Sequence, residues 1–207
     1  MSDIRYGIFL RPDPATCWNV IQVTSALNRQ FGLVSAGAFP PHATIIGNLA
    51  TRAAESDIIS ALDLVFEDVQ PLPIYNAGVV RTDTGTLIYD IDLEASGTQR
   101  NGLLNRVAAT VKEAVLPLSV PVDDHLVTPI VDYVFAGHLG LASHELTVDG
   151  GLCDEVEDFI AGLPVAAPPA SFVARWYSLI EFRADWVGHW WEQLTWRHRR
   201  SWEAGST

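Results

Sequence analysis

The chain has 207 residues, 48% hydrophobic and 18% charged, with 25 acidic against 13 basic side chains and a formal net charge of −12. This composition excludes a disordered chain, a coiled coil and a collagen-like repeat, and leaves ample apolar material for one buried core. With only one dense basic cluster, Arg197, His198, Arg199 and Arg200, it also lacks the phosphate-neutralising surface of a protein that grips long nucleic acid.

Residues 5–11 (RYGIFLR) combine aromatic and branched side chains and read as a strand. Residues 14–31 repeat apolar positions at helical spacing through Trp18, Ile21, Val23, Ala26, Leu27 and Phe31, with Pro14 at the start and Gly32 just past the end. Residues 39–49 (FPPHATIIGNL) are a β-branched run opened by two prolines, and 53–66 read as a helix through Ile58, Ile59, Leu62, Leu64 and Val65. Two strands are expected at 72–81 and 86–94. The second half follows the same plan. A helix at 98–115 precedes a Pro-rich connector, a strand at 133–142, a helix at 153–163, and aromatic strands at 172–183 and 190–202. Helices alternating with strand pairs predict an α+β domain, 1–207, built from two similar halves at roughly 1–95 and 96–207.

No run of about 18 apolar residues is present to span a membrane, and the first ten residues do not read as a signal peptide. Cys17 and Cys153 cannot supply a disulfide framework or a cysteine zinc site. The expectation is a cytoplasmic monomer, with no membrane partner. Twelve of the 13 basic residues are arginine. Arginine suits bidentate phosphate contacts, so a small anionic ligand fits better than a polymer.

The sharpest chemical feature is Pro41–His42–Ala43–Thr44–Ile45–Ile46. In a strand, residues i and i+2 share a face, so His42 and Thr44 project together while Ala43 and Ile45 pack inward. An imidazole moves a proton near neutral pH, and a hydroxyl beside it donates to a phosphate oxygen. A second histidine, His138, occurs 96 positions later in FAGHLGLA, again between two amphipathic helices. If the halves are related by a pseudo-two-fold, the two imidazoles meet across one cleft as complementary base and acid.

On these residues the sequence resembles the 2H phosphoesterase superfamily, the 2′,3′-cyclic phosphodiesterases and 2′-5′ RNA ligase-like proteins. The resemblance spans nearly the whole chain: the opening strand at 5–9, the first motif with its prolines, the second His strand, and Gly188–His189–Trp190–Trp191 leading into the last strand. It implies a bilobed pseudo-two-fold α+β fold, with two mainly antiparallel sheets forming a central cleft and helices packed outside. It implies His42 and His138 as general base and acid, in an order the sequence leaves open. Thr44 and Gly140 take the phosphate-side positions, without metal or cofactor. The implied activity is a phosphodiesterase acting on a cyclic phosphate or short 2′-5′-type nucleotide, in RNA processing or a related pathway. The partner is then a small nucleotide or short oligonucleotide.

One position departs from the pattern. The second motif reads His138–Leu139–Gly140, where the family carries threonine or serine. The strand face would hold Ala136, His138, Gly140 and Ala142, with Ser143 pointing away. Another group then contacts that phosphate oxygen, or the smaller face admits a bulkier substrate, or the chain is a nucleotide-binding protein that has lost catalysis. Among the remaining candidates, Asp123, Asp124 and His125 read as a polar turn, and His144 as a cap or surface residue. His189 and His198 sit among tryptophans expected to fill the core. Tyr6, Phe9, Tyr133 and Tyr177 are core residues by default.

Overall fold

A computed structural model describes residues 4–122, 130–165 and 167–205; Asp123, Asp124 and His125 lie outside them. The chain begins with β1 (Ile4–Arg11) and α1 (Pro14–Phe31). The carboxylate of Asp13 accepts from Thr16 N–H at 2.8 Å and caps α1, Pro14 opens it, and Gly32 closes it at φ 72°. There follow β2 (Ala43–Leu49), α2 (Glu55–Phe66), β3 (Leu72–Tyr75), β4 (Val79–Arg81) and β5 (Leu87–Asp90). Next is α3 (Gly102–Val115), whose cap is the Asn101 side chain, 3.1 Å from Leu104 N–H. The chain then runs through β6 (His138–Ala142), α4 (His144–Val148), α5 (Cys153–Gly162), β7 (Ser171–Ala174), β8 (Trp176–Arg183) and β9 (Thr195–Glu203).

Among the described residues all strand pairings are antiparallel, in two sheets of unequal size. The larger has seven strands in the order β4-β5-β6-β2-β1-β8-β9, and the smaller is β3 against β7. The succession β1-α1-β2-α2-β3-β4 recurs as β5-α3-β6-α5-β7-β8, with α4 inserted. β2, which His42 immediately precedes, and β6, which His138 opens, are therefore neighbours at the middle of the large sheet. The main core lies on one face of that sheet. There Ile8, Leu10, Ala43, Ile45 and Leu139 pack against α1 through Val23 and Leu27 and against α3 through Leu104 and Val111, all with negligible exposure. Burying that many aliphatic side chains is the dominant stabilising contribution.

Three expected strands are interrupted. The run 72–81 breaks at Gly78, φ 98°, which lets β3 pair with β7 while β4 crosses to β5. The run 172–183 breaks at Arg175, sending β7 and β8 into different sheets. The stretch 190–202 opens with a one-turn 3₁₀ helix, Trp190–Gln193, before β9 begins. A period-two pattern continues through such points because both flanking strands bury alternate side chains, although against different partners.

Candidate active site

The antiparallel pair β2–β6 is in register at Ala43 and Leu139, both fully buried in the helix-side core. The alternation of side chains therefore places His42, Thr44, His138 and Gly140 together on the opposite face. All four line one cavity of ≈ 240 Å³. Each motif is held in the same way. His42 Nδ1 is 2.7 Å from the carbonyl of Pro40, and His138 Nδ1 is 2.8 Å from that of Ala136, in each case two residues earlier. A carbonyl only accepts, so Nδ1 carries the proton in both rings and the lone pair of each neutral imidazole sits on Nε2. His42 Nε2 is 3.1 Å from Thr44 Oγ1. Among the described residues His138 Nε2 has no hydrogen-bond partner.

The two rings differ in surroundings. His42 packs on Phe9 with centroids 4.1 Å apart and on Phe39 at 5.6 Å. Phe9 occupies that place because residue 7 is glycine: a Cβ there would collide with the Phe9 ring and stand 2.9 Å from Phe182 Cε2. Burial under these rings pushes the His42 imidazolium down to about 4 from 6.5, and the neighbouring His138 adds in the same direction. The bond to Pro40 works against both. Tyr133 braces the first motif by donating from its hydroxyl to the carbonyl of Thr44 at 3.1 Å. Burial holds that phenol up at about 12, so it stays a donor.

Several residues fall elsewhere than the sequence suggested. Ala142 is buried in the helix-side core, 1% exposed, and Ser143 lines the cavity. The reason is a β-bulge: Ile88 pairs with Gly140 but Leu87 with Ala142, so Leu141 is an extra residue and the alternation inverts beyond it. His144 is a wall of the same cavity. Its ring stacks on Trp191 at 4.9 Å and 17°, and Trp190 meets it edge-on at 4.9 Å. Burial pushes its imidazolium below the usual histidine range, against the pull of Glu145. Two arginines of the basic cluster are committed to ion pairs with α2, Arg199 to Glu55 at 2.6 and 2.8 Å and Arg200 to Asp63 at 3.3 Å. His198 bonds Ser201 at 2.8 Å on β9. Trp190, Trp191 and Trp202 are buried, Trp202 stacked on Phe66 at 4.9 Å. Among the described residues no three His, Cys, Asp or Glu side chains converge as a metal site, and no helix is long and apolar enough to cross a membrane.

No protein-family model matches the chain, and no curated protein matches it. Solved structures do share its fold. TT0787 of Thermus thermophilus superposes with a TM-score of 0.58 at 13% identity, covering 96% of this chain and 97% of the other. E. coli LigT in apo form gives 0.54 at 11%, over 99% and 100%. A structure described as a phosphoesterase gives 0.50 at 9%, over 98% and 99%. The chain thus has, over almost its whole length, the 2H phosphoesterase fold.

Proposed function

We propose that this chain, with its 2H phosphoesterase fold, is a metal-independent phosphodiesterase that hydrolyses a cyclic phosphate or a short 2′-5′-type nucleotide. The observation that carries the reading is the matched pair of imidazoles. Two histidines at the starts of adjacent central strands, each locked through Nδ1 on a backbone carbonyl, line a single cavity. An in-line displacement at phosphorus needs a base on one side and an acid on the other, and this arrangement supplies both.

His42, neutral at pH 7, takes a proton from water through Nε2 as the water oxygen bonds to phosphorus. The opposite P–O bond breaks, and His138, entering the step as an imidazolium with hydrogens on both ring nitrogens, protonates the departing ribose oxygen from Nε2. Solvent then returns the proton from His42 to His138, so the net change is addition of one water. Thr44 hydroxyl, held by His42 Nε2 in the free protein, turns to a non-bridging oxygen and stabilises the charge gathering there. The aromatic wall of Phe9, Phe39, Phe182 and Trp190 around the cavity suits a nucleobase or ribose. A larger cavity of ≈ 810 Å³ shares Phe39 and Pro41 with this one as lining and leaves room for a second nucleotide. The choice of nucleotide agrees with LigT, whose structures include complexes with ATP and with 3′-AMP.

A second reading, a nucleotide-binding protein without catalysis, draws on Gly140. Incubation with a panel of 2′,3′-cyclic nucleotides and 2′-5′-linked dinucleotides, followed by mass spectrometry, separates the two. The enzyme reading expects a gain of one water in at least one compound. Tight binding with every ligand intact selects the second reading.

A further inference from the structure

We propose that Ser143 supplies the phosphate-binding hydroxyl that the second motif lacks at Gly140, making it a substrate-contacting residue of the phosphoesterase site on which this inference rests. The two halves correspond at an offset of 96 residues, which pairs His42 with His138, Thr44 with Gly140 and Gly47 with Ser143. The correspondence extends to the backbone. In β2, Phe9 pairs with Thr44 and Ile8 with Ile46, so Ile45 is an extra residue three positions after the histidine. In β6 the extra residue is Leu141, again three positions after the histidine. Each bulge turns the next residue into the core, where Ile46 and Ala142 are each 1% exposed. The residue after that, Gly47 in one half and Ser143 in the other, lines the cavity.

Hydroxyl and glycine have thus exchanged places. The first half carries the hydroxyl at 44 and glycine at 47; the second carries glycine at 140 and the hydroxyl at 143. In the first half sterics explain why only one of the pair bears a side chain: a Cβ at residue 47 would stand 3.2 Å from Thr44 Cγ2, tighter than ordinary contact. Positions 44 and 47 therefore compete for one space, whereas the second half leaves room at residue 140 in the cavity that Ser143 also lines. An ideal Cβ at Gly140 meets nothing within 4 Å.

The Ser143 hydroxyl is also uncommitted. Its φ of −135° and ψ of −109° start α4 without a side-chain cap, and among the described residues Oγ has no hydrogen-bond partner. His144, beside it in the cavity wall, presents an imidazole held flat on Trp191. The Ser35 hydroxyl anchors this corner, accepting from His144 N–H at 3.1 Å and donating to the Glu145 carboxylate.

The test uses the full chain, with inorganic phosphate binding by calorimetry and turnover of 2′,3′-cyclic AMP as separate readouts. Ser143→Ala weakens phosphate binding by about tenfold or more and lowers turnover on the order of 10²-fold, with an unchanged melting temperature. Adding Gly140→Ser to that variant restores most of both, because a hydroxyl returns to the lining of the same cavity at a position with room for it. Phosphate binding by Ser143→Ala equal to that of the wild type overturns the assignment. So does a folded Ser143→Ala/Gly140→Ser double variant that recovers nothing. Wild-type protein that binds phosphate yet leaves 2′,3′-cyclic AMP and every other compound of the nucleotide panel intact contradicts the enzymatic reading alone, since the phosphate arm still decides the role of Ser143.

Discussion

Replacing either His42 or His138 by alanine lowers turnover of the cleaved substrate by about 10³-fold, within the range that general acid–base groups contribute. In the proposed mechanism the two rings act on opposite sides of one phosphorus, so removing both is expected to cost little more than removing one. Their loss does not unfold the chain, since both lie on the cavity face while their neighbours Ala43 and Leu139 carry the core contacts. Melting temperatures close to wild type are therefore expected beside the lost rate. Full turnover by the His138→Ala variant contradicts the two-imidazole mechanism, because no other cavity group stands where its Nε2 does.

Acid destabilisation with a specific origin is the second large effect. Burial against Phe9 and Phe39 lowers the His42 pKa to about 4, whereas the unfolded chain has 6.5. Between those values the unfolded state binds the proton and the folded state does not, so stability rises with pH across this window and is lost as pH falls through it. The full difference corresponds to at most about 3 kcal/mol. Urea unfolding at pH 7 and pH 4 measures it. The wild type loses more stability between these two values than His42→Ala, which has no proton to take up. Equal losses in the two proteins show that the imidazole is not desolvated in the way the aromatic packing implies.

Local signals carried much of the fold. The helix at 14–31 begins and ends where Asp13, Pro14 and Gly32 dictate, and the alternation of Leu139 and Leu141 with His138 and Gly140 marked the inward face of β6. What the sequence concealed lies where alternation is preserved while the partner changes, as at Gly78 and Arg175, or where it is inverted without any compositional mark, as at Leu141. A bulge has no sequence signature of its own, so strict alternation points Ser143 away from the cavity it lines. His144 was hidden for another reason: its neighbours, Trp190 and Trp191, lie far along the chain, and nothing local distinguishes a stacked imidazole from a surface one. Tyr133 shows the same limit. Its hydroxyl reaches a carbonyl 89 residues away, a contact set by the pairing of β2 with β6 and by no feature around residue 133.

The central claim, that the two imidazoles address one phosphorus atom, is tested most directly by a crystal structure of the protein soaked with orthovanadate and a nucleoside. The account predicts a five-coordinate vanadium in the cavity, with His42 Nε2 and His138 Nε2 within hydrogen-bond reach of its opposite apical oxygens and the Thr44 and Ser143 hydroxyls on its equatorial ones. Vanadate bound to one ring only, or in a different part of the molecule with the cavity empty, contradicts it.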